Sequence, residues 1–167
     1  MADESKNLQK AAGLSAAEVR LLRALADDAR TTNAALASAA DMPASTCLQR
    51  VQSLRRREVV RGFHTDIDRR ALGLDLEVLV AVELDEQDPA HSRRFVDICR
   101  SLEHVMAVLL VSGQHHFQLQ VQVANTEDLL AQVIRPLEAL PFVRRTDTSI
   151  VFGHWRRHSP LGAMTRT

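Results

Sequence analysis

The chain is poor in the residues that most often announce chemistry. Its 167 residues include only two cysteines and two lysines, Lys6 and Lys10. Cys47 and Cys99 lie far apart at apolar helical positions without CxxC spacing, so they read as small buried hydrophobes rather than a redox pair or metal clamp. The six glycines are scattered, and no phosphate-cradling loop can be assembled from them. The nucleophile elbow G-x-S-x-G and the zinc motif H-E-x-x-H are absent too. No catalytic residue and no metal ligand is assigned, and an enzyme is not the expected class. The longest apolar run, Val105 to Val111, is far too short to cross a bilayer. Met1 to Ala12 lack the apolar stretch of a secretory signal. The expectation is a cytoplasmic protein with no membrane contact.

What is present suits two small globular domains. Hydrophobic residues at 46% and charged residues at 25% are in the range of soluble folded proteins. The whole chain is neutral, yet residues up to Arg70 carry 12 basic and 9 acidic side chains and the remainder 9 and 12. That polarity fits a protein that lays one end on a polyanion. Arginines that merely satisfy the carbonyls of a helix terminus would give the same small excess.

The basic half has a defined rhythm. Ser15-Ala16-Ala17-Glu18 has the S-x-x-E form of a capping box, and Val19, Leu21, Leu22 and Leu25 then fall on one side of a helix. A second helix begins at Thr31 or Thr32 and buries Leu36 until Asp41-Met42-Pro43 stops it. A third runs from about Ala44 to Arg57. Its apolar residues Cys47, Leu48, Val51 and Leu54 are expected to face the first two helices, leaving Ser45, Thr46, Gln49, Arg50, Gln52 and Ser53 outward. Those side chains can hydrogen-bond bases and phosphates. With a short extended wing to His64, the order is that of a winged helix-turn-helix.

After a linker the period changes from helical to alternating. Leu76, Val78, Val80, Val82 and Leu84 are every second residue, with Glu77 and Glu83 between them. A helix from about Pro89 to Leu102 follows, then an apolar strand from Val105 to Val111, a turn at Ser112-Gly113-Gln114, and a second alternating strand through Phe117, Leu119, Val121 and Val123. A helix from Thr126 to about Leu140 and a strand from Phe142 to Phe152 complete β-α-β-β-α-β, a ferredoxin-like plait. The fold class is α+β. Its parts are a flexible N-terminus over 1–13, a winged helix-turn-helix over 14–64, a linker over 65–74, the plait over 75–157 and a tail over 158–167. Helices covering one sheet face leave Leu79, Ala81, Gln118 and Gln120 on the other, a surface suited to a homodimer.

This arrangement resembles the Lrp/AsnC family, the leucine-responsive and asparagine-related regulators of bacteria and archaea. The likeness runs from Leu14 to Leu161. It is carried by Asp28-Ala29-Arg30-Thr31-Thr32-Asn33 with Leu36-Ala37, by Cys47-Leu48-Gln49-Arg50-Val51 with Leu54, by Ala71-Leu72-Gly73-Leu74, by Val111-Ser112-Gly113 and by Thr146-Asp147-Thr148-Ser149. The resemblance implies a sequence-specific, DNA-binding transcriptional regulator without a cofactor. Its plait, a RAM-type domain, would dimerise or assemble further to a tetramer or octamer, and an amino acid or related metabolite would act as effector. By position, Thr32, Ser45, Thr46, Gln49, Arg50 and Arg55 would meet double-stranded DNA, with Arg61 of the wing on the backbone. Arg50 is the first choice for a direct contact; the same arginine could instead brace the fold through a carboxylate such as Asp28. The rival reading is a metabolite-sensing or partner-binding plait whose helix-turn-helix reads no DNA.

Two departures from the family pattern stand out. Glu58 occupies the exit of the third helix, where the family usually has glycine and a left-handed conformation is cheap. The effector turn, usually Gly-Asp-aromatic-Asp, reads Gly113-Gln114-His115-His116, with an imidazole where an acid would hold an ammonium group. Three arrangements suit the histidines. His115 packs while His116 caps a polar row with Gln118 and Gln120. Alternatively, the amides of Gly113 and Gln114 form a metabolite pocket with His116, Thr146, Thr148 and Ser149, His115 lying beside it. A metal would need His104 or a second subunit, since adjacent strand residues point to opposite faces. The basic aromatic segment His154-Trp155-Arg156-Arg157-His158 reads as a solvated terminus or an interface anchor.

Overall fold

The computed structural model describes residues 13–85, 88–113 and 115–155. The expected N-terminal segment, apart from Gly13, the tail over 158–167 and the stretch Arg156 to His158 lie outside the described residues. The chain divides into two compact units, one containing the N-terminal helices up to Thr65 and the other running from Asp66 to His154.

In the first unit the capping box forms as its spacing demands. The Ser15 amide donates to Glu18 Oε2 at 2.7 Å and the Glu18 amide to Ser15 Oγ at 3.2 Å, which starts α1 (Ala16–Asp27). Thr32 caps α2 (Asn33–Ala39) by accepting the Ala35 amide. Asp41 then takes a left-handed φ of 54°, Pro43 opens α3 (Ala44–Arg56), and Arg20 Nη2 donates to the Ala40 carbonyl at 2.8 Å to hold the turn. Leu21, Leu25, Leu36, Ala37, Ala40 and Cys47 form one apolar cluster; Leu14, Val19 and Leu54 form a second. Each fully buried leucine contributes about 1.5–3 kcal/mol. Glu18 is buried with them, and its Oε1 accepts from Arg57 Nη1 at 2.7 Å. One carboxylate therefore caps α1 and clasps the residue that ends α3.

One expectation for α3 needs correction. Leu48 does not face the first two helices; it is 51% exposed, because Cys47, Val51 and Leu54 already fill the inward stripe. The wing that follows is unpaired: residues 59–69 are neither helix nor sheet. Glu58 takes φ 56°, the left-handed conformation that glycine adopts without strain, and the Val59 amide returns to the Leu54 carbonyl at 2.9 Å. The exit keeps its turn despite the side chain.

The second unit opens with a short 3-10 turn, Arg70–Leu72, and continues as the plait: β1 (Leu76–Leu84), α4 (Pro89–Ser101), β2 (Val105–Leu110), β3 (Phe117–Val123), α5 over 126–138 and β4 (Val143–Ile150). The sheet order is β2-β3-β1-β4, with every pairing antiparallel. Val78, Val80, Val82 and Leu84 of β1 are buried with Phe117, Leu119, Val121 and Val123 of β3 against Phe95 and Cys99 of α4 and Leu129, Val133 and Leu137 of α5. The Phe95 and Phe117 rings lie 4.7 Å apart at its centre. Both thiols are buried, and burial pushes that of Cys99 up to about 12, which keeps it inert. Within α5 a π-helical turn, Leu130–Ile134, precedes Pro136. Proline lacks an amide proton and crowds the carbonyl four residues back, so the widened turn absorbs it without ending the helix. The sheet face away from the helices carries Leu79 opposite Gln120 and Ala81 opposite Gln118, joined by Ala107 and Leu109 of β2.

Burial alone would push the Glu18 carboxyl up, but its hydrogen bonds with Ser15 and Arg57 outweigh burial and hold it below the usual carboxylate range. A depressed folded-state pKa gives stability that is complete above the unfolded value and lost as pH falls through the folded one. Glu18→Gln is expected to destabilise the first unit by roughly 1–3 kcal/mol at neutral pH, with the gap to the native chain closing in acid; denaturant melts across that range check it, and a constant gap would refute it. Glu58→Gly should stabilise the same unit by about 1 kcal/mol by relieving the left-handed backbone, read as a rise in its denaturation midpoint.

Candidate functional site

The outward face of α3 is polar except at one point. Ser45, Gln49 and Gln52 are exposed, Thr46, Arg50 and Ser53 are half-buried, and Leu48 stands among them as an apolar group. Pro43 supplies no side-chain cap to α3, so its first amides are not satisfied by a cap. Arg50 does brace the unit, but its partner is a hydroxyl: Nη1 donates to Ser15 Oγ at 3.3 Å. Asp28, the carboxylate considered for it, instead accepts the Arg30 amide at 2.8 Å. Arg55 is exposed, its guanidinium carbon 6.0 Å from the centre of the Phe63 ring, and Arg61 is exposed as well. Thr32 lies at the start of α2 with its hydroxyl oxygen engaged in the cap. The pairing of Arg57 with Glu18 escaped the sequence reading, although the S-x-x-E motif had already marked one of the two partners.

The residues gathered around the effector turn separate into two places. Gly113 has φ 120°, a value side chains rarely tolerate, and Gln114 lies outside the described residues. The two histidines do point apart, but with their sides exchanged relative to the expectation that His116 joins the Gln118 row. His115 Nε2 meets Asp147 Oδ2 at 2.6 Å, and Asp147 pairs opposite Ala81 on the helix-free face. Arg145 holds the other oxygen of that carboxylate through Nη2 at 2.8 Å and Nε at 3.1 Å. The hydrogen bond from His115, with that of Arg145 and against partial burial, keeps the Asp147 carboxyl below the usual range.

His116 turns to the other side. Its Nδ1 accepts the Leu84 amide at 3.0 Å, its own amide donates to the Val82 carbonyl at 2.9 Å, and it lines a cleft of about 500 Å3 with residues of α4 and β2. The strict alternation of β3 ends at Phe117, which is why the period mispredicts both rings. Thr146, Thr148 and Ser149 are not among the residues that line this cleft. They lie on β4, separated from β3 by β1, and Thr146 donates its hydroxyl to Glu138 Oε1 at 2.8 Å. Among the described residues no cluster of histidine, cysteine and carboxylate side chains could hold a metal ion. No helix among them is long and apolar enough to cross a membrane.

Comparison with known proteins follows the same division. Residues 14–61 match the family model for a winged helix-turn-helix DNA-binding domain, and residues 77–161 match that for the Lrp/AsnC ligand binding domain. The chain is 42% identical over 142 residues to the HTH-type transcriptional regulator AldR of Mycolicibacterium smegmatis, covering 85% of this chain and 83% of that protein. It is 35% identical over 126 residues to the leucine-responsive regulatory protein of Rhizobium meliloti, covering 75% and 81%. The crystal structure of MtbAldR superposes with a TM-score of 0.74 at 33% identity, over 87% of this chain and 97% of that one. The α+β architecture of a winged helix-turn-helix and a plait is common to them.

The contact between His115 and Asp147 can be tested directly. His115→Gln should raise the Asp147 titration midpoint towards the ordinary carboxylate value, followed by carbon-13 NMR of the side-chain carboxyl. An unchanged midpoint would mean that Arg145 alone sets it.

Proposed function

This chain belongs to the Lrp/AsnC family of helix-turn-helix transcriptional regulators, and we propose that it reads double-stranded DNA through α3, pairs with a second copy through the open face of its sheet, and responds to a small molecule at the cleft beside the 113–116 turn. The observation that carries the first part is the outward face of α3, where Ser45, Gln49, Gln52 and Arg50 surround Leu48 on a helix whose opposite stripe is committed to the core. Hydrogen-bonding side chains on a helix surface are what major-groove base edges require, and an apolar group among them suits a thymine methyl. Arg55 and Arg61, both exposed, supply backbone contacts, and Thr32 adds a hydroxyl at the start of α2.

The dimer rests on Leu79, Ala81, Ala107 and Leu109, half-buried or exposed on a face that no helix covers. A surface of that composition, apolar with interleaved glutamines, is self-complementary across a two-fold axis. Two copies would present two α3 helices to half-sites one or more helical turns apart, and tetramers or octamers would extend the same principle. The protein acts in the cytoplasm, as a regulator and not as an enzyme. For the effector, His116 lines the cleft and Gly113 lies in the turn beside it, whereas His115, Thr146, Thr148 and Ser149 would take part only through a further subunit; Gln114 is retained from the sequence pattern alone.

Fluorescence anisotropy with the protein's own upstream DNA and a scrambled duplex, in about 150 mM salt where non-specific binding is weak, tests the reading. The native duplex should be preferred. Gln49→Ala and Arg50→Ala should each remove roughly 1–3 kcal/mol of that preference, while Arg61→Ala should weaken both duplexes alike and reduce the salt slope by about one. Equal binding that is insensitive to salt and to Arg50 would instead favour a partner-binding module.

A further inference from the structure

Leu48 is the large apolar side chain that α3 leaves exposed, and its neighbours on the helix place it outside the core. Residues three and four apart lie side by side on a helix surface. For Leu48 these are Ala44 and Ser45 on one side and Val51 and Gln52 on the other. Ala44, Ser45 and Gln52 are exposed; Val51 alone is half-buried, packed against the cluster that holds Cys47. Gln49, the next residue along the chain, is exposed as well. At 51% exposure Leu48 therefore belongs to the face that α3 presents outward.

The charge of α3 limits what can cover that face. From Ala44 to Arg56 the helix carries Arg50, Arg55 and Arg56 and no acidic residue; Asp41 and Glu58, the acids nearest in sequence, lie beyond its ends. Two copies of α3 packed face to face about a two-fold axis would set like charges across the contact, with no carboxylate from either helix to offset them. A polyanion meets the same arginines as an attraction. The apolar group that base pairs display in the major groove is the 5-methyl of thymine, where cytosine has only hydrogen. A leucine among hydrogen-bonding side chains matches a methyl flanked by base-edge donors and acceptors.

We propose that Leu48 is a specificity-determining residue, packing on the 5-methyl group of one thymine in each half-site while Ser45 and Gln52, before and after it along the helix, hydrogen-bond the flanking base edges. The assignment rests on the reading that α3 enters the major groove. It requires a T·A pair at one position of the half-site. Because the contact is apolar, that part of the sequence preference does not weaken as salt rises, unlike the contacts made by arginine.

The test uses the duplex that the full chain prefers, its own upstream DNA or, failing that, one selected from a random pool. Each thymine of the half-site is replaced in turn by deoxyuridine, which keeps every base pair and every major-groove donor and acceptor and removes one methyl. At one position the replacement should weaken binding by roughly three- to tenfold, with the salt slope unchanged. Leu48→Ala should weaken binding to the thymine duplex by a comparable factor and bind the thymine and deoxyuridine duplexes alike. Leu48 is exposed, so this variant should melt with the native chain; Leu48→Met, which keeps an apolar side chain of similar volume, should retain the discrimination. Tolerance of deoxyuridine at every position, or a penalty that persists undiminished in Leu48→Ala, would overturn the proposal and leave α3 as the DNA reader. A Leu48→Ala variant that loses oligomeric state in light scattering with its DNA preference intact would overturn it as well, marking Leu48 as a contact between copies. No preferred duplex by either route would instead refute the reading that α3 meets DNA, and this proposal with it.

Discussion

The plait is organised by the two-residue period of β1. Val78, Val80, Val82 and Leu84 on one side fix where α4 and α5 must lie, because no other surface can cover four adjacent aliphatic side chains. The intervening Glu77, Leu79, Ala81 and Glu83 then form the central column of the other face, and the pairing of β1 with both β3 and β4 propagates that division across the sheet. A one-residue slip would exchange the two faces. The side that carries the core and the side left free of α4 and α5 are thus consequences of a single strand's register.

In the first unit the corresponding constraint is electrostatic. Glu18 is committed twice, to the start of α1 and to the end of α3, so the outward face of α3 is held at an angle that its own sequence does not determine. The hydrogen bond from Arg50 to Ser15 adds a second tie between the same two helices. A carboxylate in this position also removes one arginine, Arg57, from the cationic group available to a polyanion and leaves Arg55, Arg56 and Arg61 exposed. Positioning and charge are therefore set by one side chain.

Local rules carried most of the fold. The capping box at Ser15, the stop at Asp41-Met42-Pro43 and the alternating runs of β1 and β3 have short-range causes and occur where their spacing puts them. The misreadings arise where a second element decides. Leu48 is outward because its neighbours already fill the stripe, a matter of helix rotation that an apolar count does not reveal. Glu58 keeps a left-handed backbone because Val59 and Val60 bond back to Leu54, which holds the turn whichever residue makes it. The histidines exchange sides because the strand period stops one residue after His116. The aspartate that receives His115 comes from β4, thirty-two residues away.

The burial of the two thiols has a practical side. The chain has two cysteines in all, Cys47 on the inward side of α3 and Cys99 on the inward side of α4, each with no exposed surface. Since one belongs to each unit, a thiol reagent cannot reach either until that unit opens. Labelling rates at the two positions then report local opening of each unit by its own thiol, with no engineered probe needed.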